Sequence, residues 1–554
     1  MTISDETDLS EFNGAFDLSY SDTASLNYEV QDGQTSSWNK SLKVNFGTNG
    51  GYLTKTSNGV LDMDIESLTN PNLKALEGTL NIASTDKIVN KLSVGSNGLV
   101  TIDGVLNVNH FEGQGGTVSL DLALGEVAKQ ARSQETTIAA LGDKGDGLKV
   151  GTATGSAKLE VINTNAALNK GEVEKLHIVS IDDAHNFDVF SLAKPVTAGA
   201  YDYNLVTQDR QATGSGVETG QDIYLSSIVG DEDVRATTVT AGSYIGIAYA
   251  AQLFDVSLHD RVGNRDWINP VTGEKQSTSL WMRHSMSHER FRDSTSQLRM
   301  RSTSNVTMLG GDLVQYTTEG DGFAYAGLMG GYGTMDTKSR SKMTNLHSKS
   351  ETDAWGVGAY AGWKANKDGQ RGPYVDGWLM FTHASSDVTG VDRQEENIKG
   401  EGLSASIEAG WGFKLGSVET DNGKYATFTV EPHASVTWFG MEYDDLHTDA
   451  QDVKFEGKNN VRTRLGTRVN MTEEGNKTFN AFAEANWVHN TQEYGATISG
   501  LTVDQTGSRN QAEGRIGVDW RITKDLSAWA RVGASFGSDN YSEHEGSIGV
   551  RYQF

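Results

Sequence analysis

The sequence predicts an all-β protein in two parts: short strands stacked as rungs or a sandwich, then twelve long antiparallel strands closing a transmembrane β-barrel behind one helix. Three observations carry that expectation. No stretch approaches the ~20 consecutive apolar residues that a membrane-crossing helix needs, and the mean hydropathy of the 554 residues is −0.46. A barrel escapes that exclusion, because its lipid-facing residues alternate with polar ones. Sixty-three glycines against five prolines fit many turns and few breaks in hydrogen-bond ladders. Lastly, apolar and polar residues alternate at period two down to the final EGSIGVRYQF, where Ile548, Val550, Tyr552 and Phe554 share one face and Gly549, Arg551 and Gln553 the other.

The first part runs from Leu76 to about Leu124 as short alternating runs between turns: GTLNI, KLSVG, GLVTIDG, VLNVNHF and GTVSLDLAL. Their length, without intervening helices, indicates stacked rungs or a sandwich. GEVAKQARSQETTIAAL over 125–141 reads as a helix, after which similar runs return in GLKVGTATGSAKLEVINT, KLHIVSI, FDVFSL and AGAYDYNL up to Leu205. Residues 206–242 are polar and turn-rich, a candidate linker. A helix is expected over 243–263, with Ile247, Ala251, Phe254 and Leu258 at helical spacing and Gly263 as its stop.

The strands that follow are two-faced. Leu403, Ala405, Ile407, Ala409, Trp411 and Phe413 oppose Ser404, Ser406, Glu408, Gly410, Gly412 and Lys414, and Ile516, Val518 and Trp520 oppose Glu513, Arg515, Gly517 and Asp519. A soluble sheet would alternate too, but Glu and Arg beside many glycines on neighbouring polar faces suit a wet lumen with internal ion pairs. Trp355 and Trp363 stand eight residues apart on one apolar face, roughly 26 Å of strand, about the height between two aromatic girdles. Such segments fall at about 279–288, 304–315, 322–335, 350–365, 373–385, 403–414, 424–440, 459–470, 478–490, 510–522, 526–536 and 545–554, an even number that brings both barrel ends to one side.

A formal net charge of −26 argues against nucleic acid, whose phosphates need Lys and Arg to displace counterions. The absence of cysteine removes thiolate zinc sites and disulfides together. Neither a catalytic serine motif, nor a His-Glu-x-x-His, nor a phosphate loop occurs, so no catalytic, cofactor-binding or metal residue is assigned and no cofactor is expected. The acidic GDKGDG (142–147) is read as a turn in preference to a calcium loop, because it lacks the EF-hand register. His433, with Glu431, Ser435 and Thr437, is read as a lumen hydrogen-bonding group.

Four stretches resemble the autotransporters, in which one chain carries a passenger and its own outer-membrane barrel. SLHDRVG (257–263) resembles the end of the plug helix, SLWMRHSMSHERF (279–291) the first barrel strand and MLGGDLVQ (308–315) the outgoing end of the second. The terminal SIGVRYQF resembles the signal read by the barrel-assembly machinery, with Ser547, Gly549, Tyr552 and Phe554 in its places. The resemblance implies a right-handed β-helix (solenoid) passenger portion followed by a 12-stranded antiparallel transmembrane barrel with an N-terminal plug helix. It divides the chain into 1–124, the C-terminal part of a β-helical passenger; 125–215, a pertactin-like autochaperone or cap; 216–276, linker and plug helix; and 277–554, the translocator barrel.

In the lumen, His259, Asp260 and Arg261 of the plug, with Gln252 and Asp255, are expected to meet polar wall groups such as Glu408, Glu484, Glu513 and Arg515. The helix lacks the Asn-Asn pair at which some family members sever their passenger; Asn459-Asn460 starts a barrel strand instead, and cleavage by a lumen carboxylate is not assigned. The start MTISDETDLSEF has no signal-peptide pattern, so a C-terminal piece of a longer chain is expected. The implied function is translocation and surface anchoring of a passenger that is an adhesin or aggregation factor. Implied partners are outer-membrane lipid, the assembly machinery and, through the passenger, host or neighbouring cells. The alternatives are an enzymatic passenger with its catalytic part upstream of residue 1, or a soluble extracellular solenoid.

Overall fold

The computed structural model describes residues 1–4, 14–40, 42–47, 50–83, 86–124, 145–164, 175–184, 188–210, 220–229, 234–262, 279–317, 322–365, 372–390, 396–419, 425–448, 451–473, 479–523 and 525–554. They form two compact units, 1–238 with 447–452, and 239–446 with 453–554. The helix expected over 125–141 lies outside the described residues.

In the first unit, Asn72–Ala83, Ile88–Asp103, Val105–Leu122 and Gly147–Asn163 pair in parallel, each on the next. Alternation at period two turns every second side chain inward, and parallel register stacks those residues in columns. Leu73, Leu92, Phe111 and Ala153 form one column, and Leu61, Leu80, Val100, Val118 and Leu159 another, all buried. Each large member contributes about 1.5–3 kcal/mol by leaving water. Asparagines also stack: Asn90 Nδ2 donates to Asn72 Oδ1 at 2.8 Å, and Asn72 Nδ2 donates to the carbonyls of Gly50 and Gly51 at 3.0 and 3.1 Å. The stack ends antiparallel, with Lys175–Ala184 pairing Gly220–Ser226, which pairs Tyr201–Arg210. That hairpin covers an edge the last parallel rung would leave open. It also takes up residues the sequence reading gives to a linker: Ile223 and Leu225 are buried, an alternation hidden among polar neighbours.

Asp146, the described carboxylate of the acidic turn, joins rungs through backbone donors. Its Oδ1 accepts from the Gly104 N–H at 2.7 Å and its Oδ2 from the Asp121 N–H at 2.6 Å. Burial pushes its carboxyl up to about 6 from an ordinary 3.8, the two N–H donors opposing and the Asp121 and Asp103 carboxylates adding to the rise. A folded-state value above the unfolded one means that the native form holds its proton more tightly. The stabilisation is therefore complete below about pH 4 and is lost as pH rises through about 6. Hydrogen exchange at the Gly104 and Asp121 amides, corrected for intrinsic rate, should show stronger protection at pH 4.5 than at pH 7, and Asp146→Ala should abolish the difference. Equal protection in the parent chain at both pH values would contradict this account.

The second unit contains twelve long strands: β1 (Ser279–Asp293), β2 (Leu298–Thr317), β3 (Phe323–Ser341), β4 (His347–Lys364), β5 (Gly372–Gly390), β6 (Glu396–Glu419), β7 (Tyr425–Phe439), β8 (Asn460–Glu473), β9 (Phe479–Asn490), β10 (Asn510–Arg521), β11 (Leu526–Gly537) and β12 (Ser542–Gln553). Neighbours pair antiparallel, and β12 closes on β1 over Ser279–Arg290. All twelve expected segments are present. Several run further than expected, β1 to Asp293 and β3 to Ser341, where the outer face turns from apolar to charged and the lipid pattern fades.

The two faces divide as the alternation requires. Ile407, Trp411, Ile516, Trp520, Ile548, Tyr552 and Phe554 are exposed on the outer wall, whereas Glu408, Glu431, Glu513 and Arg468 are buried inside. Outer-membrane barrels keep short turns on the periplasmic side and longer loops outside. Segments 440–459 and 491–509 mark the outer mouth on that rule. There Asp452–Glu456 pairs Gly495–Ile498, which pairs Leu501–Thr506, which reaches Arg292 and Asp293 of β1.

The single helix expected over 243–263 is instead two. Helix α1 (Thr240–Tyr249) passes into a 3-10 turn at Ala250–Gln252, and α2 (Leu258–Val262) begins anew. The restart has a local cause: Ser257 Oγ accepts from the Asp260 N–H at 3.2 Å while the Asp260 carboxylate accepts from the Ser257 N–H at 3.3 Å. This reciprocal capping fixes a new helix start. Gly263 lies outside the described residues.

Candidate functional site

The barrel lumen is the site, and what fills it decides what the barrel can do. Every residue of α1 is buried, as befits a helix that is apolar nearly all round. It presses on β3 where a side chain would not fit: a Cβ at Gly242 would meet Ser339 Oγ at 2.2 Å, and one at Gly246 would meet Thr337 Oγ1 at 2.4 Å. Its polar groups are satisfied at the outer mouth. Ser348 Oγ donates to the Val239 carbonyl at 2.9 Å, Ser243 and Ser348 hydroxyls meet at 2.7 Å, and the Tyr244 hydroxyl donates to Glu396 at 2.9 Å. Ala248, Tyr249, Ala250, Met335 and Tyr494 make an apolar cluster below. Of the apolar stripe, Ala251 packs against this cluster and Phe254 lies against Gly331 and Gly333 of β3.

Deeper in the lumen the plug becomes ionic, and its charges reach different strands. Asp255 meets Arg462 of β8 at 2.9 Å. Asp260 meets Arg515 of β10 at 2.8 Å and Arg531 of β11 at 3.0 Å. His259 Nε2 lies 2.6 Å from Glu431 of β7, and the Leu258 N–H donates to Glu408 of β6 at 3.2 Å. Arg261, fully buried, donates through Nη2 to both oxygens of Asp376 on β5, at 2.8 and 2.7 Å, and its guanidinium lies 4.2 Å from the Tyr360 ring centre. The Trp378 indole N–H donates to the Val256 carbonyl at 2.8 Å.

The structure places the expected polar residues as follows. Asp260 joins Arg515, which also holds Glu513 at 3.0 Å, and Glu408 reaches the plug backbone. Glu484 pairs within the wall, with Arg468 at 3.7 Å and Asn486 at 2.6 Å. His433 contacts Asn486 at 2.9 Å, a lumen hydrogen bond. Asp376, Arg462 and Arg531 have no part in the sequence reading, and Glu431 enters it only as a neighbour of His433. Parity marks Arg462, which shares its face with Arg464, Arg468 and Asn470, but not Asp376, whose inward face carries Tyr374, Trp378 and Met380. Gln252 lines a hollow of about 80 Å³ left beside the plug, together with Arg283, Glu513 and Arg515.

The expected assembly residues fall on both faces of β12. Tyr552 and Phe554 point outward with ring centres 4.9 Å apart, and Ser547 is buried inside. Gly549 lies under the Trp529 ring, where a Cβ would meet Cζ2 at 2.2 Å.

Comparison with known proteins agrees with this geometry. Residues 280–533 match the autotransporter beta-domain. The uncharacterised Escherichia coli K12 protein YdeU is 32% identical over 379 residues, 65% of this chain and 81% of YdeU. The Escherichia coli autotransporter adhesin AIDA-I is 28% identical over 415 residues, 73% of this chain, which spans about a third (31%) of AIDA-I's length. The crystal structure of the AIDA-I transport unit superposes with a TM-score of 0.51 at 27% identity, over 57% of this chain and 99% of that one. The match to the beta-domain and the superposition on the AIDA-I transport unit show a common fold, and the chain belongs to the autotransporter family, with its barrel in a bacterial outer membrane.

Proposed function

We propose that the chain carries its own N-terminal portion through the outer membrane and holds it at the cell surface, where that portion binds, as an adhesin or aggregation factor, and does not turn over a substrate. The observation that carries the transport half is the course of the backbone: Val239, the first residue of the second unit, lies at the outer mouth beside Ser348, while α2 lies deep in the lumen against Asp376. That is the path of a chain drawn outward. The binding half is supported by the similarity to AIDA-I, named as an adhesin, and by a long stacked sheet whose extended faces suit recognition. Residues 125–215 act in this reading as the segment that folds first outside and templates the rungs before it. Ser547, Gly549, Tyr552 and Phe554 are read by the assembly machinery, supported by the outward-facing aromatic pair at the end of β12.

Protease added to intact cells expressing the chain should remove residues 1–238 and spare the barrel. Cells displaying the full-length gene product should settle or attach to host cells faster than cells carrying the barrel alone. Protection of 1–238 until the membrane is ruptured would overturn the transport reading, and unchanged settling and attachment the binding one.

A further inference from the structure

On the outer wall near the outer mouth, the register of β1 to β4 lines up basic residues in two rows. In one, Arg290 faces Arg301, Arg301 faces Lys338 and Lys338 faces Lys349; in the other, Arg292 faces Arg299, Arg299 faces Arg340 and Arg340 faces His347. Like charges directly opposed destabilise a sheet, so this plaque works against the fold that carries it, in a chain whose net charge is −26. Arg299, Arg301, Lys338 and Arg340 are exposed and border an open hollow of about 590 Å³. Among the described residues, Lys349 is the one member with a carboxylate in ion-pair range, Asp336 at 3.5 Å and Glu351 closer.

Height on the wall points to the occupant. Trp355 and Tyr332, exposed and opposite one another on β4 and β3, mark the aromatic level. Lys349 precedes Trp355 by six residues, about 20 Å of strand and about 15 Å of height at a tilt of roughly 40°. The plaque therefore stands beside the headgroup layer of the outer leaflet, above the hydrocarbon. The rows are about 6.6 Å apart and the strands about 4.8 Å, a grid of guanidinium and ammonium groups suited to several phosphate monoesters at once. We propose that this plaque binds the phosphorylated sugar headgroup of an outer-leaflet glycolipid. The proposal rests on the barrel reading. Lipid surrounds the wall at that height, whereas a soluble polyanion would have to displace it.

The test titrates the full chain, in zwitterionic detergent at 150 mM salt, with a diphosphorylated rough glycolipid and with the same lipid after phosphatase treatment. The phosphorylated form should bind about ten-fold more tightly or better. The R299E/R301E/K338E/R340E variant should lose that margin while keeping the heat-dependent gel mobility of a folded barrel. Equal binding of both lipids by the folded parent chain overturns the proposal. So does a soluble phosphorylated polysaccharide that binds as tightly as the lipid, which would make the plaque a dock for a polyanion from solution. Should the reversal variant not fold, the four corresponding Gln substitutions replace it, and the two-lipid comparison decides with the parent chain alone. A parent chain whose mobility ignores heating would fail as a barrel, a separate outcome.

Discussion

Asp376→Ala should weaken the second unit by about 3–5 kcal/mol, the cost of leaving a fully buried arginine without its counter-charge. Arg261 has no exposed surface, and both oxygens of Asp376 accept from its Nη2. The Tyr325 hydroxyl, which donates to Asp376 Oδ2 at 2.7 Å, loses its acceptor in the same change. The temperature at which the unboiled band shifts to the unfolded position should fall, and amides of α2 should exchange faster. Arg261→Met should also destabilise, but the double variant Arg261→Met/Asp376→Leu should recover most of the loss, because replacing both partners by apolar groups is often near neutral. Additive losses would mean that each residue acts through other contacts.

Removal of residues 1–262 should raise single-channel conductance in planar bilayers on the order of ten-fold or more, since an emptied barrel of this strand number encloses an aqueous channel. With α1 and α2 in place the lumen keeps a hollow of about 80 Å³ beside the plug, room for a few waters at about 30 Å³ each. Equal conductance of the intact and shortened chains would mean that the plug leaves the lumen when the protein is reconstituted.

The barrel was legible in the sequence because lipid and water impose opposite demands on alternate residues, and the twelve runs around Ile407, Ile516 and Ile548 follow. Strand ends were less legible: past Trp355 toward His347, both faces of β4 are polar or charged, so period two carries no contrast. The spacing of apolar residues locates the plug but not its break. Ile247, Ala251, Phe254 and Leu258 fit one helix by spacing, yet the Ser257 and Asp260 cap starts another. That capping pattern was present in the sequence, but an apolar stripe outweighs two polar residues in any periodicity argument. Lumen pairings were the least legible part. Glu408 and Arg515 could be assigned to the inside by parity, but which strand faces which across the pore depends on tilt and closure, so Asp376 as partner of Arg261 had no sequence signature.

The contacts of α2 and its approach are spread around a closed ring, on β5, β6, β7, β8, β10 and β11, and a closed ring has no free end. Mechanically the chain is a thread through a bead, as in a rotaxane. A pull on Val239 from outside loads Asp255, His259, Asp260 and Arg261 together, in parallel, whereas the same pull on a terminal rung of the stacked sheet would peel its hydrogen bonds one at a time. The lumen contacts should therefore fail last under tension, and the grip of the plug sets the force that the anchor withstands.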